Sequence, residues 1–467
     1  INKYTIIKVI YMDNIIVDSS QEANQTEANM IQYDITEEVD EVELERRKYK
    51  TLGTCGLYNF GATCYLNSII QLLVSTDALV LLFKRKRIDE NGSQQSALYK
   101  RELKRGIKRT ILNERKSNED VSTEIDDIDV KKKFKNSLTY KLRNLTCIMW
   151  GENRRIKPVT FQQTFSRISK TFRSRCEQND SQECLSLILE TIHDEMKYAV
   201  ELQPKPHTEQ MKKFIKAKKQ FESFDGQEAK LEYIKYKNRH LKESMTLEAM
   251  EAWERYLTNE YSYVEDVFGG LFCNTVKCHA CNNNSFKFDN FRIVNVTVPM
   301  VRNNSSVTLE ECLDNDFVAT EIFEGDNKYS CDICNEKTVA TKSMNIWNCP
   351  TWLIIHLKKY SNTLMKNNRL VEFPIENLDM KKYMSEHASR ENSKYEYDLY
   401  GISHQSGDLS GGHYTACTKN IRNKMWYSFN DLNVNHIPDN KLQSKLVTRE
   451  AYILMYKRRS KQANFNV

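Results

Sequence analysis

The sequence predicts an α+β fold, with helices in the first half of the chain and strands in the second. Apolar residues recur every three or four positions in residues 64–83 and 181–200, which is the period of a buried helix face. From about residue 291 onward, apolar runs are short or alternate with polar residues, as they do in β-strands. No repeat of fixed period is present, so we expect a mixed architecture rather than a repeat protein.

Two further helices and six strands are predicted from local composition. Residues 209–222 and 227–257 are rich in Lys and Glu, which indicates polar helices inserted at the surface. The strand candidates are residues 291–298, 352–357, 397–403, 413–418, 425–429 and 451–456.

Length and composition exclude several protein classes. A chain of 467 residues can form about three domains, or one large domain with insertions. Only 14 glycines and 7 prolines are present, which excludes collagen-like and Pro-rich low-complexity chains. No apolar run is long enough for a transmembrane helix, and no signal peptide is recognisable. We therefore expect a reduced intracellular protein of the cytoplasm or nucleus, whose 13 cysteines include any catalytic or metal-binding thiols.

The charge is distributed in blocks. The formal net charge is +6, but residues 84–116 are strongly basic and residues 117–130 are acidic. Adjacent blocks of opposite sign are typical of a solvated insertion. A nucleic-acid surface is the alternative, but the basic block contains almost no aromatic residues that could stack on bases.

The most informative segment spans residues 56–68, with the sequence GLYNFGATCYLNS. Gly56 and Gly61 lie in a loop that leads into the first predicted helix, so this loop can approach a ligand closely. Cys64 falls at the start of that helix, where unpaired amides and the helix dipole favour the nucleophilic thiolate. Asn59, five residues earlier, could donate to a developing oxyanion. The alternative is a buried structural cysteine.

A base for this cysteine is offered by His413, which follows a Gly-Gly pair at the start of a predicted strand. If this strand forms a hairpin with the strand that ends at Asn430, and residues 419–424 form the turn, His413 faces Asn430 directly. Their Cβ atoms would then be about 5 Å apart, so the amide oxygen could orient the imidazole. In a regular strand, Asp431 points to the opposite face.

Four of the cysteines form two CxxC pairs, separated by residues 282–330. Each pair can place two thiolates on one tetrahedral zinc ion. Four cysteine ligands leave no open coordination position, so we expect a structural zinc site. Two pairs of free thiols are the alternative, and His279 inside the first pair is expected to be exposed rather than a ligand. The proposed ligands are Cys278, Cys281, Cys331 and Cys334.

Four further segments stand in order between Cys64 and His413: residues 178–183 (QNDSQE), 352–360 (WLIIHLKKY), 371–374 (VEFP) and 400–407 (YGISHQSG). Together with the segments around Cys64 and His413, they resemble the characteristic boxes of the ubiquitin-specific proteases, which are papain-like deubiquitinating enzymes. The resemblance runs from about residue 52 to residue 456, and six motifs in the same order are far more specific than one.

The resemblance implies a papain-like α+β fold with a helical thumb, a β-rich palm and zinc-bearing β fingers. It also implies one catalytic domain with insertions, preceded by an acidic arm that we expect to be disordered. The implied boundaries are 1–50 for the arm, 51–458 for the catalytic domain, about 84–140 and 200–260 for the insertions, about 270–345 for the fingers, and 459–467 for the tail.

The same resemblance implies a role for each residue of the site. Cys64 would be the nucleophile, His413 the general base and then acid, and Asn59 the oxyanion donor. Asn430 would orient the histidine. Many family members have Asp where this chain has Asn430, so Asp431 is the alternative orienting residue. The implied reaction is hydrolysis of the bond after the C-terminal glycine of ubiquitin through a thioester, with no catalytic cofactor.

The tail of ubiquitin is basic before its terminal Gly-Gly, so an enzyme that cleaves there needs acidic partners. By resemblance, Gln178 and Asp180 would hold the tail backbone and Glu183 a tail arginine. Asp180 and Glu183 could instead cap the helix over 181–200. Asn179 departs from the Gln that the family usually has, which leaves that contact open. The further substrate-binding residues expected beside the base are Gly412, Tyr414 and His404, the last with a structural role as the alternative.

The expected partners are ubiquitin and ubiquitinated proteins, bound by a monomer without a membrane or nucleic acid. Two other classes of function stay open. One is a ubiquitin-binding scaffold without activity. The other is a zinc-containing nucleic-acid-binding protein, which the basic block would favour but which explains neither Cys64 nor His413.

Overall fold

The structure is a computed structural model that describes most of the chain between residues 51 and 459. The structural statements below concern the described residues. These are 33–34, 51–84, 86–88, 94–117, 126–151, 155–174, 176–200, 208–224, 226–300, 306–360, 366–388, 395–408 and 411–459.

Thirteen α-helices lie in the described residues, and eleven of them precede residue 270, as the predicted order requires. In chain order they are α1 (Cys64–Val74), α2 (Asp77–Lys84), α3 (Leu98–Ser117), α4 (Asp127–Asn136), α5 (Leu138–Gly151), α6 (Val159–Ile168), α7 (Ser181–Met196), α8 (Glu209–Glu222), α9 (Gln227–Arg239), α10 (Leu241–Glu260), α11 (Tyr263–Phe268), α12 (Leu309–Phe317) and α13 (Leu442–Leu446).

Two predicted helices are each divided in the structure. The segment 64–83 forms α1 and α2, because Ser75 ends α1 and the Thr76 amide bonds back to the Leu73 carbonyl. The segment 227–257 forms α9 and α10, with the break at His240. In both cases the apolar spacing continues across the break, so periodicity alone did not reveal it.

Twenty strands are described, most of them in the second half of the chain. They are β1 (Tyr33–Asp34), β2 (Lys86–Ile88), β3 (Gln94–Ala97), β4 (Ile156–Lys157), β5 (Gly270–Cys278), β6 (Asn284–Phe291), β7 (Ile293–Thr297), β8 (Val307–Thr308), β9 (Glu321–Phe323), β10 (Tyr329–Cys331), β11 (Glu336–Thr338), β12 (Ala340–Asn348), β13 (Trp352–Lys358), β14 (Val371–Glu372), β15 (Leu378–Asp379), β16 (Glu396–Gly407), β17 (Gly412–Lys419), β18 (Trp426–Asn430), β19 (Asn433–Ile437) and β20 (Ala451–Arg458).

The largest sheet has the order β19-β18-β17-β16-β20-β13-β7, and β15 adds to β16. Its neighbours are antiparallel except for β13 and β7, which are parallel. Strand β13 is buried on both faces: Ile354 packs in one apolar cluster with the helices, whereas Leu353 and Ile355 pack in a second cluster on the other side. The sheet is therefore the middle layer of the molecule, and both of its faces carry core.

The hairpin of β17 and β18 differs in register from the prediction. Ala416 pairs with Phe429, so the register is shifted by two residues, and His413 and Asn430 are not direct partners. The turn keeps its predicted length of six residues but spans 420–425 instead of 419–424. Within it, Lys424 has a left-handed φ of 63°, and the Asn420 side chain closes the loop by accepting from backbone amides. A shift of two residues preserves the face on which each side chain lies.

A second sheet, ordered β6-β5-β12-β9, spans residues 270–348 and coincides with the predicted fingers. Rings of Phe272 and Phe291 stack at its base with centroids 4.0 Å apart. The short pair of β10 and β11 lies next to it in sequence and carries the second CxxC pair.

The two predicted insertions behave differently. In the first, Tyr99, Leu103 and Ile107 of α3 are buried in the main core, so the expectation of a purely solvated insertion was wrong. The apolar residues repeat at intervals of four and form a buried face that the charged residues concealed. The second insertion forms helices α8 to α10 around a small core of its own, with Met211 and Phe214 at its centre.

The ends of the chain lie largely outside the described residues. Of the predicted arm, only Tyr33–Asp34 is described, and it pairs in parallel with Ile156–Lys157. The rest of the arm, and residues 460–467 of the predicted tail, lie outside the described part. Among the described helices, none combines the length and apolar character that crossing a bilayer requires.

Candidate active site

Cys64 is the first residue of α1, as predicted, and its side chain is buried. The loop before it is held by its own side chains. The Asn59 carboxamide oxygen accepts from the Thr63 amide at 2.9 Å and from the Thr63 hydroxyl at 3.1 Å. The Thr63 hydroxyl in turn accepts from the Phe60 amide at 2.9 Å. Because Gly61 has a φ of 116°, a conformation that suits glycine, the loop can turn sharply into the helix.

Helix α1 packs against β17, which brings Cys64 beside the backbone of Tyr414. The Tyr414 backbone N–H is close enough to the cysteine sulfur to favour its thiolate form. The Tyr414 side chain is itself buried, 6.3 Å from the Tyr452 ring. We predicted that Tyr414 would contact substrate, but its buried ring faces the core, and only its backbone borders the nucleophile.

Burial raises the pKa of the Cys64 thiol above its ordinary value. The Tyr414 N–H opposes this shift, whereas the negative charge of Asp431 adds to it. The amides of Cys64 and Tyr65 at the helix start lower the pKa, as expected, but burial is the larger effect and the net shift is upward. Desolvation outweighs the helix dipole when the sulfur has so little access to water.

His413 and Asn430 are in contact despite the shifted register. The Asn430 Oδ1 lies 2.7 Å from His413 Nε2, and about a third of the histidine side chain is exposed. An amide oxygen can only accept, so the proton at this contact belongs to Nε2. The other ring nitrogen, Nδ1, then carries the lone pair and can act as the base.

Asp431 does not point to the opposite face. The strand ends at Asn430, and Asp431 adopts a left-handed φ of 48°. Its carboxylate accepts from Asn67 Nδ2 at 2.7 Å and from Asn59 Nδ2 at 3.0 Å, and it lies 4.0 Å from His413 Nε2. The regular-strand expectation was wrong because the chain turns at this residue.

Asn67 is a site residue that the sequence analysis missed. It lies one helical turn after Cys64, is buried, and donates both to Asp431 and to the Tyr58 carbonyl, the latter at 3.2 Å. The available signal was that polar residues, Asn67 together with Ser68 and Gln71, lie on a helix that is buried all round. Its carboxamide links the start of α1 to the end of β18.

The loop of Cys64 also pairs with the backbone after β18. The Leu57 amide donates to the Asp431 carbonyl at 2.9 Å. A Cβ on Gly56 would lie 2.3 Å from the Leu432 carbonyl oxygen, so only glycine allows this approach. The sequence analysis expected the loop of Gly56 to approach a ligand closely, but Gly56 itself lies against the protein's own backbone.

Gln178 connects the segment before α7 to the start of β17. Its Nε2 donates to the Gly412 carbonyl at 2.6 Å, and its Oε1 accepts from the Gly412 amide at 2.5 Å. A Cβ on Gly412 would meet the Ser406 carbonyl oxygen at 2.5 Å. Both residues were predicted to bind substrate. Gly412 directly precedes His413, so its contact with Gln178 places both residues beside the proposed base.

Asp180 caps helix α7. Its Oδ1 accepts from the amides of Gln182 at 2.5 Å and Glu183 at 3.3 Å, and its Oδ2 accepts from the Tyr452 hydroxyl at 2.5 Å. The capping alternative is therefore confirmed for Asp180. Glu183 is exposed on the first turn of α7 and free to face a cation. Asn179 is half-buried beside them.

His404 lies inside strand β16 rather than on the loop that precedes His413. Its side chain is buried, and Nε2 lies 3.1 Å from the Leu446 carbonyl oxygen. Burial lowers the pKa of this imidazole. The predicted contact with substrate was wrong, and the structural alternative fits these contacts.

The four cysteines of the CxxC pairs converge, and all their sulfur atoms lie within 4.8 Å of one another. Cys278 Sγ is 3.9 Å from Cys334 Sγ, and Cys281 Sγ is 3.8 Å from Cys331 Sγ. Zinc–sulfur bonds of about 2.3 Å in a tetrahedron require sulfur separations of about 3.8 Å, so these residues fit a zinc ion. His279 bonds to Thr341 instead, at 2.7 Å.

A second group of potential metal ligands contains His193, Asp194 and Glu260. The Lys197 ammonium lies 2.8 Å from the Asp194 carboxylate and 2.7 Å from the Glu260 carboxylate. This lysine already supplies the positive charge between the two acids. We therefore assign no metal to this group.

Residues 55–456 match the family described as ubiquitin carboxyl-terminal hydrolase. The chain belongs to this family. Similar proteins include the ubiquitin carboxyl-terminal hydrolase Usp2 of Drosophila melanogaster, 29% identical over 88% of this chain and 36% of the fly protein. The probable ubiquitin carboxyl-terminal hydrolase R319 of Acanthamoeba polyphaga mimivirus is 26% identical over 87% of this chain and 90% of the viral protein. The chain thus spans little more than a third of the fly relative.

Among solved structures, the chain resembles one from the SAGA Ubp8/Sgf11/Sus1/Sgf73 DUB module bound to ubiquitin aldehyde. The TM-score is 0.54, with 19% identity over 88% of this chain and 71% of the other. At this identity the similarity establishes the fold alone. It agrees with the α+β, papain-like fold expected of the ubiquitin carboxyl-terminal hydrolase family.

Proposed function

We propose that this ubiquitin carboxyl-terminal hydrolase family member is a deubiquitinating cysteine protease. It would cleave the isopeptide or peptide bond after the C-terminal glycine of ubiquitin. The observation that carries the proposal is the 2.7 Å contact between His413 and Asn430, on strands packed beside the helix that Cys64 begins. Thiol hydrolysis needs a nucleophile beside a base that a third group orients, and here the packing of α1 on β17 brings these groups to one place.

The reaction begins with transfer of the Cys64 proton to His413 Nδ1 as the sulfur attacks the glycine carbonyl. The carbonyl oxygen becomes an oxyanion and accepts a hydrogen bond from Asn59, whose carboxamide has a second hydrogen besides the one bound to Asp431. The His413 imidazolium then protonates the leaving amine, and a thioester remains. Water, deprotonated by His413, attacks the thioester and releases the ubiquitin carboxylate.

Burial raises the pKa of the Cys64 thiol, which favours a path in which proton transfer to His413 accompanies attack. The imidazolium that forms needs a negative partner. Asn430 holds the ring but carries no charge. Asp431, 4.0 Å from Nε2, supplies that charge, so we propose that the two residues share the role of the third member.

The substrate tail would run between Gln178 and Gly412 on one side and the start of α7 on the other. Glu183 is exposed there and would pair with a tail arginine. Gln178 and Gly412 would offer the tail backbone the amide groups that now bond to each other. Asp180 would act mainly by fixing the start of α7.

A ubiquitin derivative with an electrophile at its C-terminus tests the proposal. Wild-type protein should form a covalent adduct, and Cys64→Ser should not. Cys176→Ser is the matched control, because Cys176 is the exposed cysteine nearest to this segment in sequence, and it should label like wild type. Binding of ubiquitin without labelling of the wild-type protein would favour the scaffold, and binding of nucleic acid instead would favour the other alternative.

We also propose that Cys278, Cys281, Cys331 and Cys334 hold a structural zinc ion. The ion would supply a fixed crosslink between the two pairs of strands and take no part in the chemistry. Purified protein should contain one zinc per chain, and Cys281→Ser should lose it with a lower melting temperature. Cys176→Ser should keep it. Wild-type protein that contains no zinc and is unaffected by a chelator would contradict the site.

Ubiquitin and ubiquitinated proteins are the proposed partners, and a monomer in the cytoplasm or nucleus is the proposed form. No disulfide joins any of the 13 cysteines, all of which lie in the described residues, and this supports a reducing compartment. Light scattering of the purified chain tests the monomer, and a mass of two chains would contradict it.

A further inference from the structure

The second insertion contacts the fingers at the first CxxC pair. Lys237, near the end of α9, is almost fully buried, and its Nζ donates to the Asn284 carbonyl at 2.8 Å. The same ammonium lies 3.3 Å from the Glu248 carboxylate and 4.8 Å from the centre of the Phe286 ring. Glu248 balances the ammonium charge of Lys237, and the Phe286 ring covers the ammonium group. Lys237 is therefore a buried, fully partnered residue of the contact between the insertion and the fingers.

The next residue makes two more bonds to the same place. Asn238 Nδ2 donates to the Asn282 carbonyl at 2.9 Å, and Asn238 Oδ1 accepts from Asn284 Nδ2 at 2.9 Å. Three hydrogen bonds therefore join two neighbouring residues of α9 to two residues of the fingers.

The bonded residues directly follow a proposed zinc ligand. Cys281 is followed by Asn282, which has a left-handed φ of 58°, and the Asn283 carbonyl accepts from the Cys278 amide at 3.0 Å. Residues 282–284 thus close the turn that sets the positions of both sulfurs. A contact that fixes this turn fixes the geometry of the pair.

Helix α9 is supported from behind by the rest of the insertion. The Tyr236 ring stacks on Phe214 of α8 with centroids 5.8 Å apart, and Phe214 belongs to the small core of helices α8 to α10. The salt bridge of Lys237 reaches α10 through Glu248. The side that faces the fingers is therefore held by three helices.

We propose that the helical insertion α8–α10 is a brace for the first cysteine pair, with Lys237 and Asn238 as its positioning residues. The brace holds Cys278 and Cys281 in the geometry that zinc requires, and so slows release of the ion. The proposal rests on the zinc site proposed above. It assigns the insertion a role in retaining the metal rather than in the chemistry at Cys64.

The test compares the rate at which a chromogenic chelator removes zinc from purified, loaded protein. The variant is Lys237→Met with Asn238→Ala. The matched control is Lys235→Met on the same helix, whose exposed ammonium bonds to Glu232 at 2.7 Å. Release from the double variant should be roughly tenfold faster, at the lower end of what outer contacts of metal ligands contribute. Cleavage of a fluorogenic ubiquitin substrate by freshly loaded protein should change by less than about twofold.

Hydrogen–deuterium exchange of residues 279–286 is a second readout that does not depend on the metal. Exchange should be faster in the double variant than in Lys235→Met, and Lys237→Arg should restore part of the protection. Zinc release and exchange equal to the control would overturn the brace. If the double variant does not fold, the single variant Lys237→Met is compared with Lys235→Met in the same two measurements, zinc release and hydrogen–deuterium exchange. If wild-type protein contains no zinc, the zinc proposal fails, and the exchange comparison still decides whether α9 braces the turn.

Discussion

Asn430 contacts His413 from a diagonal position across the hairpin, with 2.7 Å between Oδ1 and Nε2. Ala416 and Phe429 are the last residue pair between β17 and β18, so Asn430 lies one residue beyond the paired part of the hairpin. At that point the chain turns, and Asp431 comes within 4.0 Å of the same ring nitrogen. An amide and a carboxylate on consecutive residues therefore both reach one imidazole.

Replacing either residue of this pair should lower activity. We expect Asn430→Ala to reduce kcat about 10- to 100-fold, because the imidazole loses its orienting acceptor. Asp431→Ala should cost at least as much, since it removes the negative charge and frees Asn59 and Asn67. Steady-state cleavage of a ubiquitin C-terminal amide measures both, with the exposed Asn435→Ala as control. Wild-type activity in both variants would refute the assignment.

The reactivity of Cys64 should show a thiol whose pKa is raised. Iodoacetamide labelling of the Cys64 peptide, followed by mass spectrometry across pH, should have its midpoint above that of a cysteine in a free peptide. Asp431→Asn should move the midpoint down, because the carboxylate charge disfavours the thiolate. Exposed Cys176 reports on the reagent in the same samples. A midpoint below that of the free peptide would show that the helix start prevails over burial.

Removing the side chain of Gln178 should affect binding more than chemistry. Gln178→Ala loses both bonds to Gly412 and the proposed contact with the tail. We expect KM for a ubiquitin substrate to rise about tenfold, the effect of losing about 1.4 kcal/mol of interaction, with little change in kcat. Gln163→Ala, exposed on α6, is the control. An unchanged KM would exclude Gln178 from the tail site.

Glu102 should make stability depend on pH. Burial raises the pKa of this carboxyl to about 8, and its Oε2 has no hydrogen-bond partner. Between the unfolded value near 4.3 and about 8, the folded state binds more protons, so stability falls as pH rises through this window. Glu102→Gln should therefore melt above wild type at pH 8 by about 2–4 °C, as ~1 kcal/mol gives in a large domain. The difference should shrink at pH 5.

The exposed Glu228→Gln serves as the control for this experiment. It should follow the wild-type melting curve at both pH values. A difference between Glu102→Gln and wild type that does not change with pH would mean that the carboxyl has an ordinary pKa in the folded protein.

Local patterns predicted the elements well and their breaks poorly. The helix over 209–222 and the strand around 352–357 follow directly from composition and periodicity. The break at Ser75 was hidden because apolar residues continue on both sides of it. The core face of α3 was hidden in a basic block, because a helix needs only every third or fourth residue to be apolar.

The sequence by itself pointed to Cys64, His413 and Asn430, because each stands in a short motif, and the structure places His413 and Asn430 in contact. It also pointed to the four cysteines, since a CxxC pair can place two thiolates on one ion, and their sulfur atoms lie close together in the structure. Tertiary structure alone decided the positions of Asp431 and Asn67 and the burial of His404. Those depend on where a strand ends, how a helix packs on it and how much water is excluded, which are properties of contacts between distant segments.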